Sequence, residues 1–392
     1  MLRVGLTGGI ACGKSRVLAR FAARGLATLD LDRVAHEAID PGGTAHEGVL
    51  AAFGPEVLDL HGRIDRKVLG RLVFGDAAAR DRLNAIVHPR VREAESRWAA
   101  GEAGRGARIA VTDAALLVES GVHLRFDRLV VVHCSADKQL RRLMSRDGID
   151  AQAARARIDA QMPIEEKVWF GHVEIDAGGA PSDTDRAADA AAASLERAAA
   201  EVGPRPAIPV ERALGALILG PARGPRGLSP VPLLKAMASW GGLDMGRAAS
   251  LLVPAAAGPW YRQARGGENE PPPATLAGSL VLWALARGAP DEDYLASAAA
   301  SLARLTHTNP GASAEAVAVA LALQEAVVGG GAPPSGWAAR CGIAEKWGRA
   351  VPSPRVETDF APWLAGAARG VREADAPADA LAALRAIQGL EY

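Results

Sequence analysis

The stretch Gly8-Gly9-Ile10-Ala11-Cys12-Gly13-Lys14-Ser15 fits the spacing G-x-x-x-x-G-K-[ST] and follows directly on the short apolar run at residues 2–6. Glycines at these positions let successive backbone N–H groups turn inward around a polyphosphate, and a helix beginning at the last of them points its positive end at the same anion. Lys14 then reaches the β- and γ-phosphates and Ser15 is placed to ligate Mg²⁺. The helix is legible downstream: Val17, Leu18 and Phe21 fall on one face, and Gly25 supplies a stop after Arg24. Strand, glycine-rich turn and helix in that order predict a nucleotide site, with residues 8–15 around the triphosphate.

The rest of the first half agrees with such a site. Apolar runs at residues 27–29, 109–112 and 129–133 alternate with longer helical stretches, which predicts a parallel sheet covered on both faces. The run Leu129-Val130-Val131-Val132 has no polar alternation, as a strand buried on both sides requires. Residues 101–106 read as a surface loop, and residues 183–202 as a closing helix. The segment Gly203-Pro204-Arg205-Pro206-Ala207-Ile208-Pro209 then breaks regular structure. The boundaries expected are therefore a P-loop domain over 1–202, a proline-rich linker over 203–210 and a second, all-α domain over 211–392. That second part holds most of the tryptophans, long alanine-rich stretches and almost no strand-like alternation.

Composition narrows the function classes. The 392 residues include 45 basic and 45 acidic side chains, so bulk charge asks for neither nucleic acid nor an acidic membrane. Cys12, Cys134 and Cys341 are few, odd in number and far apart, which disfavours a disulfide framework or a zinc site. The first strand starts at once after Met1 and no apolar run approaches the ~18 residues of a membrane span, so a cytoplasmic protein is expected. Oligomeric state is not readable.

What surrounds a phosphate-binding loop decides its class. A GTPase carries an Asn-Lys-x-Asp guanine-reading motif, which is missing, and a mechanical ATPase places a glutamate after the strand-end aspartate, where Asp113 is followed by Ala114. A small-molecule kinase needs a carboxylate to orient an acceptor hydroxyl and arginines to cover the moving phosphoryl group. Asp30 and Asp32 follow the second strand at the sheet edge where ligands bind, and their side chains point the same way if the strand continues; capping the next helix is the competing role. Arg142 and Arg146 are four apart on a helix after Ser135, which puts them on one face toward a common target.

At this level of detail residues 2 to about 200 resemble the dephospho-CoA kinases. The carrying segments are Gly5-Leu6-Thr7-Gly8-Gly9-Ile10, Asp30-x-Asp32, Val87-His88-Pro89, Leu116-Leu117-Val118-Glu119, Leu143-Met144-Ser145-Arg146-Asp147, and Gln161-Met162-Pro163-Ile164-Glu165-Glu166-Lys167 followed by Ile175-Asp176. The resemblance implies transfer of the γ-phosphoryl of ATP to the 3′-hydroxyl of dephospho-CoA. It implies Asp32 as the base, Arg142 and Arg146 as lid cations, Arg157 as a lid or adenine-site residue, and His88, Leu117 and Glu119 on the acceptor side. Asp113 is read as bracing the water around Mg²⁺. Alternatives are another P-loop nucleoside or nucleotide kinase, or a bifunctional chain. Departures from the family pattern are Ala115 for a proline, Cys12 for a smaller residue, Val168-Trp169-Phe170 for basic residues after Lys167, and Ala177 for an asparagine.

The second half is similar, more faintly, to the ADP-ribosylglycohydrolases, through Gly215-Ala216-Leu217-Ile218-Leu219-Gly220 and Leu305-Thr306-His307-Thr308-Asn309-Pro310. That family's Mg²⁺-binding aspartate groups have no counterpart here, so the expectation is a degenerate domain without hydrolase chemistry, serving binding or regulation.

Overall fold

A computed structural model describes residues 1–74, 76–201, 292–306, 310–329 and 346–347. Five parallel strands form one sheet in the order β2-β3-β1-β4-β5. β1 (Leu2–Gly8) lies at its centre and every residue of it is buried. β2 (Ala27–Asp30), β3 (Ile109–Asp113) and β4 (Arg128–His133) occupy the expected places. β5 (Val173–Asp176) is an edge strand that the sequence reading did not assign, being four residues of Val-Glu-Ile-Asp with two of them exposed. Gly5 has no side chain where Leu117, Phe126 and Leu129 converge: a Cβ there would sit 3.0 Å from each.

Helices cover the sheet. α1 (Lys14–Ala23) packs against α9 (Pro181–Glu201), and a row of exposed ion pairs runs between them: Arg16 with Asp185, Arg20 with Asp189, Arg24 with Glu196. Spaced four apart along α1 and its C-terminal cap, these arginines share a face, and exposed pairs of this kind add little stability. α2 (Leu31–Ile39), α3 (His46–Phe53), α4 (Arg66–Phe74) and α5 (Ala77–Gly104) enclose a second apolar cluster that includes Ile39, Val49, Phe53, Leu69, Val87 and Val91. α6 (Ala136–Asp147) and α7 (Ala151–Asp159) follow β4 as a helical pair, and α8 (Ile164–Val168) returns to the sheet.

The expected loop at 101–106 is shorter than read, because α5 continues through Gly104 and turns only at Gly106, whose φ is 86°. His88-Pro89 falls in the middle of this long helix. Residues on either side keep the helix, and Pro89 costs it one N–H donor.

In the second half, the described residues are helical: α10 (Glu292–Thr306) and α11 (Pro310–Gly329) pack against each other, and residues 346–347 are a further short helical piece. They share one buried cluster with the sheet core. The Tyr294 hydroxyl donates to the Leu124 carbonyl at 2.7 Å, Arg304 lies 3.9 Å over the Trp169 ring, and Trp347 meets His172 edge-on. The linker at 203–210 and the resemblance segments at 215–220 and 307–309 lie outside the described residues.

Candidate active site

The loop after β1 has the backbone its glycines predict. Gly13 adopts φ 100°, Ala11 is the one non-glycine residue with positive φ among the described residues, and a Cβ on Gly8 would stand 2.2 Å from the Val132 carbonyl oxygen. No side chain caps α1, although the Arg16 amide already donates to the Gly13 carbonyl at 3.1 Å. The Ile10 N–H donates to the side-chain oxygen of Gln161 at 2.8 Å. Gln161 was noticed in the sequence only as part of a longer motif; its contact to the loop is visible only in three dimensions.

Lys14 extends from the loop to Asp113 at the end of β3, with a 2.7 Å contact and both side chains largely buried. Burial raises the Asp113 pKa, the Lys14 cation opposes that shift, and Asp30 and Asp32 add to it with their own negative charge. The register explains the gathering: Asp30 on β2 pairs with Asp113 on β3, which pairs with Leu6 on β1. Acidic groups thus collect at the carboxyl ends of β2 and β3, beside the lysine of the loop.

The two aspartates after β2 part ways. Asp30 is the N-cap of α2, its carboxylate accepting from the amides of Asp32 and Arg33 at 2.9 and 3.2 Å. The strand does not continue past it, so the expected parallel orientation of the two side chains is replaced by a helix start. Asp32 sits exposed in the first turn of α2. Asp30 is committed to its cap, whereas the Asp32 carboxylate is exposed and carries no cap.

On the other side of the loop, Arg142 and Arg146 do not share a target. Arg142 donates to the Ala177 carbonyl at 2.8 Å, beside the loop that precedes α9, whereas Arg146 and Arg157 both bind Asp147, at 2.7 and 2.6 Å. Asp147 therefore ties α6 to α7, a role the sequence reading missed because it looked only for cations. Arg142 is the arginine nearer the phosphate loop: Gly13 faces Ala177, whose carbonyl Arg142 holds.

The acceptor-side residues are placed unequally. Leu117 is buried in the core against Gly5, so it is a packing residue, while its neighbour Leu116 is 48% exposed. Glu119 forms a buried ion pair with Lys167 at 2.6 Å and accepts from the Met162 amide, and Lys167 also donates to the Ala115 carbonyl. Burial pulls the Lys167 pKa down while Glu119 pushes it back up. This pair braces the segment carrying Gln161. His88 is exposed on α5, on the helical side of the molecule that also carries Asp32 on α2. Ser15 is exposed at the start of α1.

A parallel sheet with a glycine-rich loop, a lysine held by a strand-end aspartate, and a helical pair carrying arginines defines a P-loop phosphotransferase. The family model for dephospho-CoA kinase matches residues 2–182. Dephospho-CoA kinase from Geobacter sulfurreducens is 44% identical over 183 residues, covering 47% of this chain and 93% of that protein. Those from Geobacillus kaustophilus and Leifsonia xyli are 43% and 42% identical, over 47% and 50% of this chain and 92% and 99% of theirs. The chain belongs to the dephospho-CoA kinase family through its first half.

Proposed function

We propose that the chain transfers the γ-phosphoryl group of ATP to the 3′-hydroxyl of dephospho-CoA, completing coenzyme A in the cytoplasm. The observation that carries this is the meeting of Lys14 with the acidic strand ends beside an uncapped α1. Phosphoryl transfer spreads negative charge over the moving group, so catalysis rests on positioning and cations. Lys14 exchanges Asp113 for the β- and γ-phosphate oxygens, and the loop amides, including that of Ile10 once Gln161 yields it, hold the triphosphate. Arg142 covers the transferring group; Arg146 and Arg157 act through Asp147 by fixing α6 against α7. Asp32 accepts the proton of the acceptor hydroxyl, with His88 and the exposed face around α2 and α5 receiving the rest of the acceptor.

The residues fit Mg²⁺ as this ion is held with nucleotides. Mg²⁺ keeps several waters and takes one or two protein ligands plus phosphate oxygens, and Ser15 at the start of α1 and Asp113 beside Lys14 offer oxygen donors of that kind. Ser15 would supply a direct ligand and Asp113 would hold a coordinated water; the ion would neutralise charge between the β- and γ-phosphates.

The test is incubation of the full chain with ATP, Mg²⁺ and dephospho-CoA, with the product resolved by mass and by the position of its new phosphate. Coenzyme A with a 3′-phosphate is expected. Transfer to adenosine or a nucleotide in preference to dephospho-CoA would replace this reading with that of another small-molecule kinase.

A further inference from the structure

Cys12, in the phosphate-binding loop, and Cys134, which follows β4 immediately before α6, are both buried free thiols, and their sulfurs lie 3.7 Å apart. They are 122 residues apart in sequence, so the fold alone creates the pair. The surroundings are specific. Gln139 donates its side-chain amide to the Cys12 sulfur at 3.2 Å, and the same amide stands where a Cβ on Gly9 would come within 2.7 Å. The loop is thus seated closely on the root of α6, the helix that carries Arg142.

We infer that Cys12 and Cys134 form a reversible intramolecular disulfide on exposure to peroxide, and that this bond switches phosphoryl transfer off. Cys134 is the group to react first: its hydrogen bond with Cys12 lowers its pKa to about 7, and the Arg142 cation acts in the same direction. Cys12 is held as a thiol, its pKa raised by that same hydrogen bond and by burial. The Cys134 thiolate attacks one peroxide oxygen, the O–O bond breaks, and the departing hydroxide takes a proton to become water. The Cys12 sulfur then attacks the sulfur of the resulting sulfenic acid, the S–O bond breaks, and the oxygen leaves as a second water with the Cys12 proton. Two thiols and one peroxide give one disulfide and two waters.

The consequence for activity is geometric. Sulfurs 3.7 Å apart must approach to about 2.05 Å to bond, which draws Cys12, and with it the loop just before Gly13 and Lys14, toward β4. Displacement of that order in the residues that seat the phosphates costs roughly 10²-fold in rate. Reduction by a dithiol releases the loop.

The test uses full-length protein carrying Cys341→Ser, titrated with hydrogen peroxide, then divided for a kinase assay and for non-reducing digestion with mass spectrometry. A peptide linking Cys12 to Cys134 should appear in step with loss of coenzyme A formation, and dithiothreitol should restore both. Cys134→Ser should keep the untreated activity and resist peroxide. Equal sensitivity of Cys134→Ser, inactivation without the linked peptide, or the linked peptide with full activity would each overturn the inference. Where Cys134→Ser fails to fold, Cys134→Ala takes its place, and the peptide map of the parent protein still decides. That map needs no acceptor substrate, so failure of the switch is distinguishable from failure of the kinase reading.

Discussion

The carboxyl edge of the sheet and the junction with α10 and α11 are built on opposite principles. At the edge, polar groups hold provisional partners: Lys14 rests on Asp113, the Ile10 amide on Gln161, Arg142 on a carbonyl, and α1 has no side-chain cap. Each contact can be exchanged for a phosphate oxygen at little net cost, because one charge-assisted bond replaces another. At the junction most of what meets is buried apolar surface. Tyr294 donates to Leu124, Arg304 stacks on Trp169, and alanine-rich helices close on Leu124, Phe170 and the sheet core. Where a protein must bind and release, it leaves exchangeable polar contacts; where it must hold, it buries apolar surface around a few satisfied polar atoms.

The sharpest way to break this contrast is at Lys14. Lys14→Ala should cut turnover by several orders of magnitude, about 4 kcal/mol in barrier, since a transition-state cation is lost. Its thermal midpoint should stay close to that of the parent, because Lys14 leaves only Asp113, whose raised pKa lets it take a proton. Steady-state kinetics beside a melting curve checks both. A large loss of stability would mean that the edge holds the fold as the junction does.

Ending the chain after Glu201 should do the reverse. Trp169, Phe170 and Leu124 lose their cover, at about 1.5–3 kcal/mol for each large side chain fully uncovered. A lowered melting temperature, with transfer still detectable in the cold, is the expected outcome, and melting curves of the two chain lengths read it.

Acid should find the junction before it finds the edge. His123 is buried beside Ser301 and Phe170, and burial lowers its pKa from 6.5 to about 3. The unfolded chain takes up this proton below about pH 6.5, whereas the folded protein resists until about 3. The stability gained from keeping the ring neutral is therefore complete above 6.5 and is lost as pH falls through that window, at up to about 1.4 kcal/mol per unit. His123→Gln should flatten this part of the pH–stability curve. A smaller effect is expected at Asp30: Asp30→Ala removes the cap of α2, costs about 1 kcal/mol of stability and leaves Asp32 in place to support transfer.

The sequence discloses the edge far better than the junction, and the reason is local. A phosphate-binding loop needs glycine where φ is positive or where backbone approaches backbone, so Gly8 and Gly13 announce it within eight residues. Strands buried on both faces write themselves as apolar runs, which is why β1 to β4 were legible and the exposed, four-residue β5 was not. Arg142, Arg146 and Arg157 were visible as cations, but the partner that separates their roles, Asp147, belongs to a geometry that spacing alone does not give. The same holds for Leu117, turned into the core, and Glu119, paired with Lys167. Val168-Trp169-Phe170 departs from the family pattern of basic residues after Lys167. Trp169 and Phe170 lie under Arg304, so this departure forms part of the surface on which α10 sits.

Asp32→Asn and Tyr294→Phe, compared in the full chain for phosphate transfer from labelled ATP to dephospho-CoA and for thermal midpoint, test the division of labour most directly. Asp32→Asn should abolish transfer without moving the midpoint, because an exposed carboxylate is exchanged for an amide of the same shape. Tyr294→Phe should lower the midpoint, by about 1–2 kcal/mol in stability, because the buried Leu124 carbonyl loses its donor while transfer proceeds at the parent's rate. Near-normal turnover in Asp32→Asn would contradict the placing of the acceptor base at the sheet edge, and loss of transfer in a folded Tyr294→Phe protein would contradict the separation of the two regions.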